Sequence, residues 1–298
     1  MKNIYKQIVA TGYIATVISA FLIAGCYHVA DISDDVNDSA SDNLSPDDSD
    51  SSINNENTHE TDTWFNTDSD SNSDSDSNSD AFYYNYAISL DGDGDYIRIF
   101  NNDMLNLKDE WTIECWIKNL DPDSIMAPII RKGDENINVS SYFLYASYNG
   151  DKPIAGYGIS STKYVGLTGP DTIDSYKWIH MAFCYKGRSS AFFIDGNQVA
   201  VRNAVQGEPT NKTTDKDLII GAMLAKSALG YFNGLIDELR ISSIKRYDGN
   251  FIPENRFEVD NETISLWHFD EGSGNTVTDE VYSLIGNLKG DTQFVLHN

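Results

Sequence analysis

Three aspartates are spaced two residues apart in a short glycine-rich stretch. Asp91, Asp93 and Asp95 alternate with Gly92 and Gly94. Carboxylate oxygens are the ligands that calcium prefers, and glycine lets a loop bend around an ion. The same stretch can also serve as a polar turn between two strands. At the level of sequence both interpretations, a calcium site and an ordinary turn, stay open.

The sequence contains no arrangement of residues typical of hydrolytic catalysis. The five histidines are scattered, and neither a Ser-His-Asp set nor a metal-ligating histidine pair is visible. Asp237 and Glu238 are adjacent, so they are predicted to point to opposite faces of a strand and to be a poor acid/base pair. His180 is the obvious candidate base, but its place inside a predicted strand favours a packed core histidine. No catalytic residue is assigned.

Two cysteines, Cys115 and Cys184, both lie within predicted strands. They can form a disulfide if their strands are neighbours with Cα atoms less than about 7 Å apart. The alternative is two separate buried thiols.

The segment between residues 142 and 164 is rich in aromatic side chains. Sugar rings stack on exposed aromatic faces. Alternating aromatics also build the core of a sandwich, and this second interpretation is favoured, so no ligand-binding face is assigned. The side chains concerned are those of Tyr142, Phe143, Tyr145, Tyr148, Tyr157 and Tyr164.

The residues discussed so far lie among short segments with the alternating pattern of β-strands. In Thr112–Lys118, three apolar residues point to one face, and Glu114 and Trp116 point to the other. The pair Asp195-Gly196 separates two apolar runs and predicts a tight hairpin. Further strands are predicted at Tyr96–Ile99, Trp178–Tyr185, Ala191–Ile194, Gln198–Val201, Leu218–Gly221 and Phe232–Ile241. Many short strands without a long helical period predict an all-β, two-sheet antiparallel β-sandwich.

Five motifs, in this order along the chain, resemble those of the laminin-G-like, concanavalin A-like family. They are Ser89–Ile99 (SLDGDGDYIRI), Trp111–Lys118 (WTIECWIK), Trp178–Gly187 (WIHMAFCYKG), Phe192–Ala200 (FFIDGNQVA) and Phe232–Ile241 (FNGLIDELRI). The first is similar to the family pattern Phe-Asp-Gly-x-Asp-Asp-Tyr, from which Leu90 and Gly94 depart. The resemblance covers most of Ala87–Ser242 and implies a concanavalin A-like jelly roll within residues 81–298.

The resemblance also has implications for the site. Relatives with this sandwich include glycoside hydrolases, which carry Glu-x-Asp-x-x-Glu on one strand face; that triplet does not occur here. The resemblance implies that the glycine-rich turn lies near the strand of Asp237, where calcium would clamp the first and last strands. The predicted metal ligands are therefore Asp91, Asp93, Asp95 and Asp237.

The segment Leu266–Val281 resembles a motif that often precedes such a domain, although here it comes near the end of the chain. It is too close to the C-terminus to begin a second domain. We interpret it as extra strands of the same sandwich, with a truncated repeat as the alternative.

The N-terminus resembles a bacterial lipoprotein signal. Two lysines precede the apolar run Ile8–Ile23, which ends in small residues and Cys26. The Ala-Gly-Cys ending resembles a lipobox, which implies that residues 1–25 are removed and that Cys26 carries a diacylglycerol thioether. An uncleaved transmembrane anchor and a plain secretory signal are the alternatives. Tyr27 instead of Asp follows the cysteine, which implies the outer membrane or cell surface if the organism is Gram-negative.

Residues 26–80 are predicted to form a disordered linker. Between Tyr27 and Asp80 there are 16 Asp and Glu and no Lys or Arg, out of a net charge of −25 for the whole chain. Like charges keep such a segment extended, so a spacer is favoured over a weak calcium-binding repeat in Asp68–Asp80. Because the chain is acidic and has no basic cluster, nucleic acid is excluded as a partner.

These features predict a lipid-anchored protein of the cell envelope, attached to the membrane through Cys26. Its sandwich is predicted to be a non-enzymatic module that recognises a glycan or an extracellular protein, with calcium as the one cofactor considered. A structural or assembly lipoprotein without a sugar ligand is the alternative, and a glycan-processing enzyme is less favoured. Since this fold hosts many functions, the ligand is not identified.

Overall fold

The computed structural model describes most of the chain from residue 85 onwards. The predicted signal peptide, Cys26 and the acidic linker lie outside the described residues. The described ranges are 85–133, 140–148, 152–160, 162–169, 173–203, 206–207, 210–225 and 228–297. Within them, no helix has the length and apolar character needed to cross a membrane.

Short strands make up nearly all of the regular structure, with a single 3-10 turn at Asp103–Leu105 among the described residues. In chain order the strands are β1 (Tyr86–Asp91), β2 (Tyr96–Ile99), β3 (Glu110–Asn119), β4 (Met126–Lys132), β5 (Tyr142–Tyr148), β6 (Lys152–Gly158), β7 (Tyr164–Thr168), β8 (Trp178–Lys186), β9 (Ser189–Ile194), β10 (Asn197–Arg202), β11 (Leu218–Ile220), β12 (Ala222–Ala225), β13 (Ala228–Tyr231), β14 (Asn233–Ser242), β15 (Thr263–Trp267), β16 (Thr276–Thr278), β17 (Ile285–Lys289) and β18 (Gln293–Leu296).

The strands form two large antiparallel sheets and one small hairpin. Sheet A has the order β10-β9-β8-β3-β14-β1-β18, with β15 also paired to β14. Sheet B has the order β16-β17-β2-β11-β4-β5-β6-β7, and β12 pairs with β13. The prediction of an all-β, two-sheet antiparallel sandwich is confirmed, and each strand predicted from alternation is found at or within a few residues of its expected place.

The hydrophobic core lies between the two sheets. Alternation in β3 places Ile113 and Ile117 in this core, as the sequence predicted. Trp111 at the start of β3 is fully buried and stacks on Tyr185 of β8, with ring centroids 5.3 Å apart. Because β3 pairs with β8 on one side and β14 on the other, it is the central element of sheet A.

The predicted hairpin between β9 and β10 is present. Asp195 and Gly196 have φ values of +48° and +71°. Two successive residues with positive φ form the turn whose twist matches that of the flanking strands. Asp195 also accepts the backbone N–H of His180 through Oδ1 at 2.9 Å, which fastens the turn to β8.

The C-terminal segment completes both sheets of the same sandwich. β15 pairs with β14 in sheet A, whereas β16 and β17 extend sheet B beside β2. β18 returns to sheet A and pairs with β1. The interpretation of Leu266–Val281 as extra strands of one domain is therefore confirmed, and the segment is not a truncated repeat.

The two cysteines are free thiols on opposite faces of sheet A. Cys115 points into the core between the sheets. Cys184 pairs in register with Thr112, three residues from Cys115, and points to the outer face. Side chains an odd number of residues apart on a strand point in opposite directions, so a disulfide between the two is excluded. Burial raises the pKa of Cys184 to about 11 and that of Cys115 further.

The aromatics of β5 and β6 are packing residues. Tyr142 and Tyr157 belong to the core between the sheets. Phe143 and Tyr145 alternate with Tyr142 and pack on the outer face of sheet B, where Tyr145 donates a hydrogen bond to Met223 Sδ. The register shift after Tyr145 places Tyr148 on the same outer face. All five are at most 9% exposed, which confirms the packing interpretation over a sugar-stacking face.

The outer face of sheet A is partly covered by the segment between β14 and β15, residues 243–262, called the strap below. Tyr247 and Phe251 of the strap stack on each other, and both pack against Phe193 of β9. Trp116 of β3 donates its indole N–H to the carbonyl of Glu254 at 3.0 Å. The strap is therefore integrated into the domain by both apolar and polar contacts.

Candidate functional site

Three carboxylates converge at the end of the sandwich where β1 ends and β2 begins. Asp91, Asp95 and Asp291 each offer one carboxylate oxygen, and these oxygens lie within 4.8 Å of one another. Gly92 and Gly94 have φ values of +82° and +99°, which allows the chain to reverse between the first two aspartates. Asp291 comes from the turn between β17 and β18.

Asp95 is the buried member of this carboxylate cluster and ties the two turns together. Its carboxylate accepts the backbone N–H of Asp91 at 3.1 Å and that of Asp291 at 2.7 Å. Burial raises the pKa of Asp95, the two backbone hydrogen bonds lower it, and the charge of Asp91 raises it, with a net upward shift. A cation held by the three carboxylates would relieve their mutual repulsion. Oxygen donors of this kind suit a hard cation such as calcium.

The structure brings together only two of the four predicted metal ligands. Asp93 is exposed and donates its backbone N–H to Asp91 Oδ1, so it shapes the turn without joining the carboxylate cluster. Asp237 is the residue after Ile236 of β14, which pairs with Ile88 of β1, whereas Asp91 pairs with Asn233. That position is about four residues along the strands from Asp91, or roughly 13 Å. The prediction of Asp237 as a ligand is therefore wrong.

The sequence did not indicate Asp291 as a member of the cluster. Its N–H reaches Asp95 Oδ1 across 196 positions of the chain. Gly290-Asp291 resembles many other polar turns, and only the pairing of β17 with β2 brings it beside the first turn. The backbone at Gly290 lies so close to Asp95 that a Cβ on Gly290 would be 2.2 Å from Asp95 Oδ1.

A bulge in β14 brings Asp237 and Glu238 to the same face of sheet A. The register with β3 shifts between Asp237 and Arg240, and Glu238 has a φ of +51°. Glu238 then accepts the backbone N–H of Phe257 in the strap at 2.8 Å. The prediction that the two carboxylates point to opposite faces is wrong, because the bulge breaks the alternation on which it relied.

Both carboxylates are buried and partnered. Burial, followed by the charge of Glu238, raises the pKa of Asp237 to about 8, and Asp237 is in close contact with Nδ1 of His297. Glu238 is 2.6 Å from Nδ1 of His268. Although burial lowers the pKa of His268, the hydrogen bond and charge of Glu238 raise it overall. Arg256 of the strap adds an ion pair to Glu238 at 3.3 Å.

A second buried ionic group lies under the strap. Glu114 is fully buried, accepts hydrogen bonds from Arg240 at 2.9 Å and Tyr247 at 2.6 Å, and lies 3.3 Å from Nε2 of His180. His180 is itself fully buried and packs edge-on against Phe251. The interpretation of His180 as a packed core histidine is confirmed, because the strap separates it from solvent.

A cavity of about 440 Å³ opens at the same end of the sandwich as the carboxylate cluster. Asn119 of β3 lies in its wall and pairs with Gly234 of β14. Gly234 also pairs with Leu90 of β1, the residue before Asp91. Two strand spacings separate these positions, or roughly 10 Å. The described residues that line the cavity are Asn119, Pro122, Asp123, Ala146, Ser147, Ile173, Asp174 and Ser175.

A larger cavity of about 710 Å³ lies at the opposite end, where β3 begins. The described residues that line it are Asp103, Met104, Asn106, Leu107, Lys108, Asp109, Glu110, Thr213, Ser243 and Ile264. In the smaller cavity, two polar residues that lie on strands, Asn119 and Ser147, are each only 5% exposed. The polar strand residue that lines the larger cavity, Glu110, is half-buried. We therefore take the smaller one, called the loop-end cavity below, as the candidate ligand site.

Solved structures with this architecture come from several kinds of protein. A protein from Bacteroides ovatus, for which carbohydrate binding has been suggested, is 15% identical and superposes with a TM-score of 0.57 over 72% of this chain and 61% of its own. This chain thus spans less than two thirds of that protein. The Ruminococcus gnavus sialidase module CBM40, solved with α2,3-sialyllactose, is 14% identical, with a TM-score of 0.44 over 54% of this chain and 91% of its own. Mouse laminin α1 domains LG4-5 are 11% identical, with a TM-score of 0.41 over 54% of this chain and 43% of their own.

At these identities the likeness concerns the fold alone. No curated protein matches the sequence significantly. A family model matches more directly, over residues 91–250, which are 160 of the 298 residues. This region includes the first two carboxylates of the cluster, the strands that carry Asn119 and Ser147, and the central strands of both sheets. The chain belongs to the concanavalin A-like lectin/glucanases superfamily.

Proposed function

We propose that this chain is a lipid-anchored recognition module of the cell envelope that binds glycans and does not process them. The observation that carries the proposal is the loop-end cavity, whose walls combine the nearly buried Asn119 and Ser147 with the carboxylates of Asp123 and Asp174. Concave sites with a few convergent polar groups are where hydroxyl-bearing ligands find hydrogen-bond partners. Membership of the concanavalin A-like lectin/glucanases superfamily supports glycans as the ligand class.

The position of the close carboxylate pair supports a non-catalytic role. A glycosidase needs two carboxyl groups that flank an accessible glycosidic bond. Asp237 and Glu238 are at most 1% exposed, and Arg256 and Phe257 of the strap contact Glu238. A sugar has no access to these carboxylates while the strap is in place.

Glycan binding is tested with the full-length chain, purified in detergent, on an array of neutral and acidic glycans. We expect saturable binding to at least one class, with the bound glycan unchanged in length after incubation. Binding to envelope proteins without any glycan binding would instead indicate a structural or assembly role. Cleavage that disappears when a single carboxylate is replaced would indicate an enzyme.

We further propose that calcium binds the carboxylate cluster. Support comes from the convergence of three carboxylates, the raised pKa of Asp95 and the preference of calcium for oxygen donors. Bound calcium would join the first strand turn to the last one, since Asp91 and Asp291 belong to these two turns. Its contribution would be to hold the cavity end of the sandwich in place.

Calcium binding is tested by titration calorimetry and by melting with calcium, magnesium or EDTA. We expect calcium to raise the melting temperature and Asp291→Asn to weaken calcium binding at least tenfold. Asp93→Asn is the matched control, because Asp93 lies in the same turn but outside the cluster. Unchanged melting with calcium, or equal effects of the two variants, would contradict the proposal.

A further inference from the structure

We infer that the loop-end cavity is a subsite for a single neutral sugar residue and that it discriminates against acidic sugars. The inference rests on the proposed glycan-binding function and adds the ligand class and the residues that select it. Three observations carry it: an unpaired buried hydroxyl, an anchored amide beside a strained exposed tyrosine, and the sign of the charge around the opening.

Ser147 provides the buried hydroxyl in the cavity wall. The residue is 5% exposed, and its Oγ has no hydrogen-bond partner among the described residues. The register between β4 and β5 shifts at Pro128, and that between β5 and β6 shifts between Tyr145 and Tyr148, so Ser147 lies in an irregular stretch of strand. Buried polar groups are nearly always paired in folded proteins, and an exception calls for an explanation. The oxygen is closed to solvent, so the Ser147 side chain must rotate about χ1 before a ligand hydroxyl in the cavity can become its partner.

Asn119 provides a fixed amide in the same wall. Its Oδ1 accepts the backbone N–H of Asp121 at 3.2 Å, which orients the carboxamide and leaves the amide N–H groups as donors for a ligand. The backbone carbonyl of Asn119 accepts the N–H of Tyr176 at 2.8 Å. One residue thus contributes a donor to the cavity and also anchors the neighbouring loop.

Tyr176 directly follows Ser175, which lines the cavity. It is 61% exposed and has a φ of +66°, a backbone conformation that is unfavourable for an aromatic residue. Strain of this kind persists where the surrounding structure holds it and is concentrated at functional positions. An exposed tyrosine ring offers an apolar face for sugar C–H groups and a hydroxyl for a hydrogen bond.

The charges at the cavity favour a neutral ligand. Asp123 and Asp174 are both exposed carboxylates, and no lysine or arginine is among the described residues that line the cavity. The nearby Lys177 is paired with Asp174 at 2.7 Å. Carboxylates accept hydrogen bonds from sugar hydroxyls but repel sialic or uronic acids. A volume of about 440 Å³ lies near the lower end of the usual range of ligand pockets, which suits one sugar residue.

The test compares full-length variants on matched neutral and uronic or sialic acid-bearing oligosaccharides. We expect wild-type chain to bind neutral sugars only, and Ser147→Ala to weaken that binding about threefold to tenfold, the usual effect of one lost hydrogen bond. Tyr176→Asn removes the ring while tolerating the positive φ and should weaken binding similarly. The double variant Asp123→Asn/Asp174→Asn should gain binding of acidic sugars. Thr213→Ala, in the opposite cavity, is the control and should bind as wild type.

Melting temperatures within about 2 °C of wild type would show that the variants are folded. If wild type binds glycans and Ser147→Ala and Tyr176→Asn bind them equally well, the subsite is wrong while the glycan function stands. Stronger binding of acidic than of neutral sugars would overturn the ligand class. Absence of binding to every glycan would overturn the proposed function and the subsite with it.

Discussion

Asp237 illustrates how one residue can change its chemistry through burial. The bulge in β14 places its carboxyl group next to Glu238 and in contact with His297. Burial raises the pKa of Asp237 to about 8, and burial also lowers the pKa of His297. Both directions favour a neutral pair, in which the Asp237 carboxyl group donates a hydrogen bond to Nδ1 of His297.

This assignment predicts a pH-dependent stability. The folded chain keeps the proton on Asp237 up to about pH 8, whereas the unfolded chain loses it near the ordinary value of 3.8. The stability that this proton contributes is complete below the unfolded pKa and is lost as the pH rises towards 8. We expect the free energy of unfolding to fall by more than 1 kcal/mol between about pH 5 and pH 8 in wild type, and to fall less in Asp237→Asn.

Denaturant titrations at several pH values provide the measurement. His268, with a raised pKa next to Glu238, is present in both proteins, so the difference between their pH profiles reports chiefly on Asp237 and on His297 in contact with it. Asp215→Asn removes an exposed carboxylate and serves as the control. Parallel pH profiles for wild type and Asp237→Asn would contradict the neutral pair.

At the scale of elements, the strap and the β9–β10 turn determine which faces of the sandwich are accessible. Gly196 in that turn accepts the backbone N–H of Phe251 through its carbonyl at 2.9 Å. A Cβ on Gly196 would lie 2.0 Å from the carbonyl oxygen of Phe251. The turn therefore needs glycine both for its positive φ and for the close approach of the strap.

Two glycine variants separate these requirements. Gly187 in the β8–β9 turn also has a positive φ, of +51°, but a Cβ there would meet nothing within 4 Å. Gly187→Ala should cost only the backbone strain, about 1 kcal/mol of unfolding free energy. Gly196→Ala should cost roughly 2 kcal/mol more, because the strap must move away.

Chemical denaturation gives the two free energies, and limited proteolysis reports on the strap. We expect cleavage within residues 243–262 to accelerate in Gly196→Ala and to stay at the wild-type rate in Gly187→Ala. Equal costs for the two substitutions would mean that the contact with Phe251 is unimportant.

At the scale of the whole molecule, the sequence predicts a spacer between the proposed lipid anchor and the sandwich. The segment of residues 26–80 contains 16 Asp and Glu residues and neither lysine nor arginine. Self-repulsion would keep this segment extended.

The prediction at this scale concerns the proposed lipid anchor on Cys26. Cys26→Ser should move the protein from the membrane fraction to the soluble fraction and abolish labelling by a fatty acid. Cys184→Ala is the control, because that thiol is buried and cannot carry a lipid. If Cys26→Ser stays in the membrane fraction, the apolar run Ile8–Ile23 is an uncleaved transmembrane anchor instead.

The amino-acid sequence alone predicted the all-β fold class and, of the strands that carry the site, β2 and β3. Alternation in β3 and the Asp195-Gly196 turn are local properties, since side-chain direction repeats every two residues and positive φ favours glycine. The same local reasoning identified Asp91 and Asp95, which lie four residues apart in one turn. Local reasoning failed for the faces of Asp237 and Glu238, because it assumed a regular strand. The ligand role of Asp237 was implied by the family resemblance, and the register of β14 with β1 contradicts it.

Which residues meet depends on how distant strands pair and pack. The register between β3 and β8 places Cys115 and Cys184 on opposite faces, and the bulge in β14 turns Glu238 towards the strap. Asp291 joins Asp95 because β17 pairs with β2. Ser147 shares a cavity with Asn119 because β5 of sheet B and β3 of sheet A finish at the same end of the sandwich. Pairing between strands far apart in sequence depends on the packing of the whole domain, so a local sequence pattern cannot predict it.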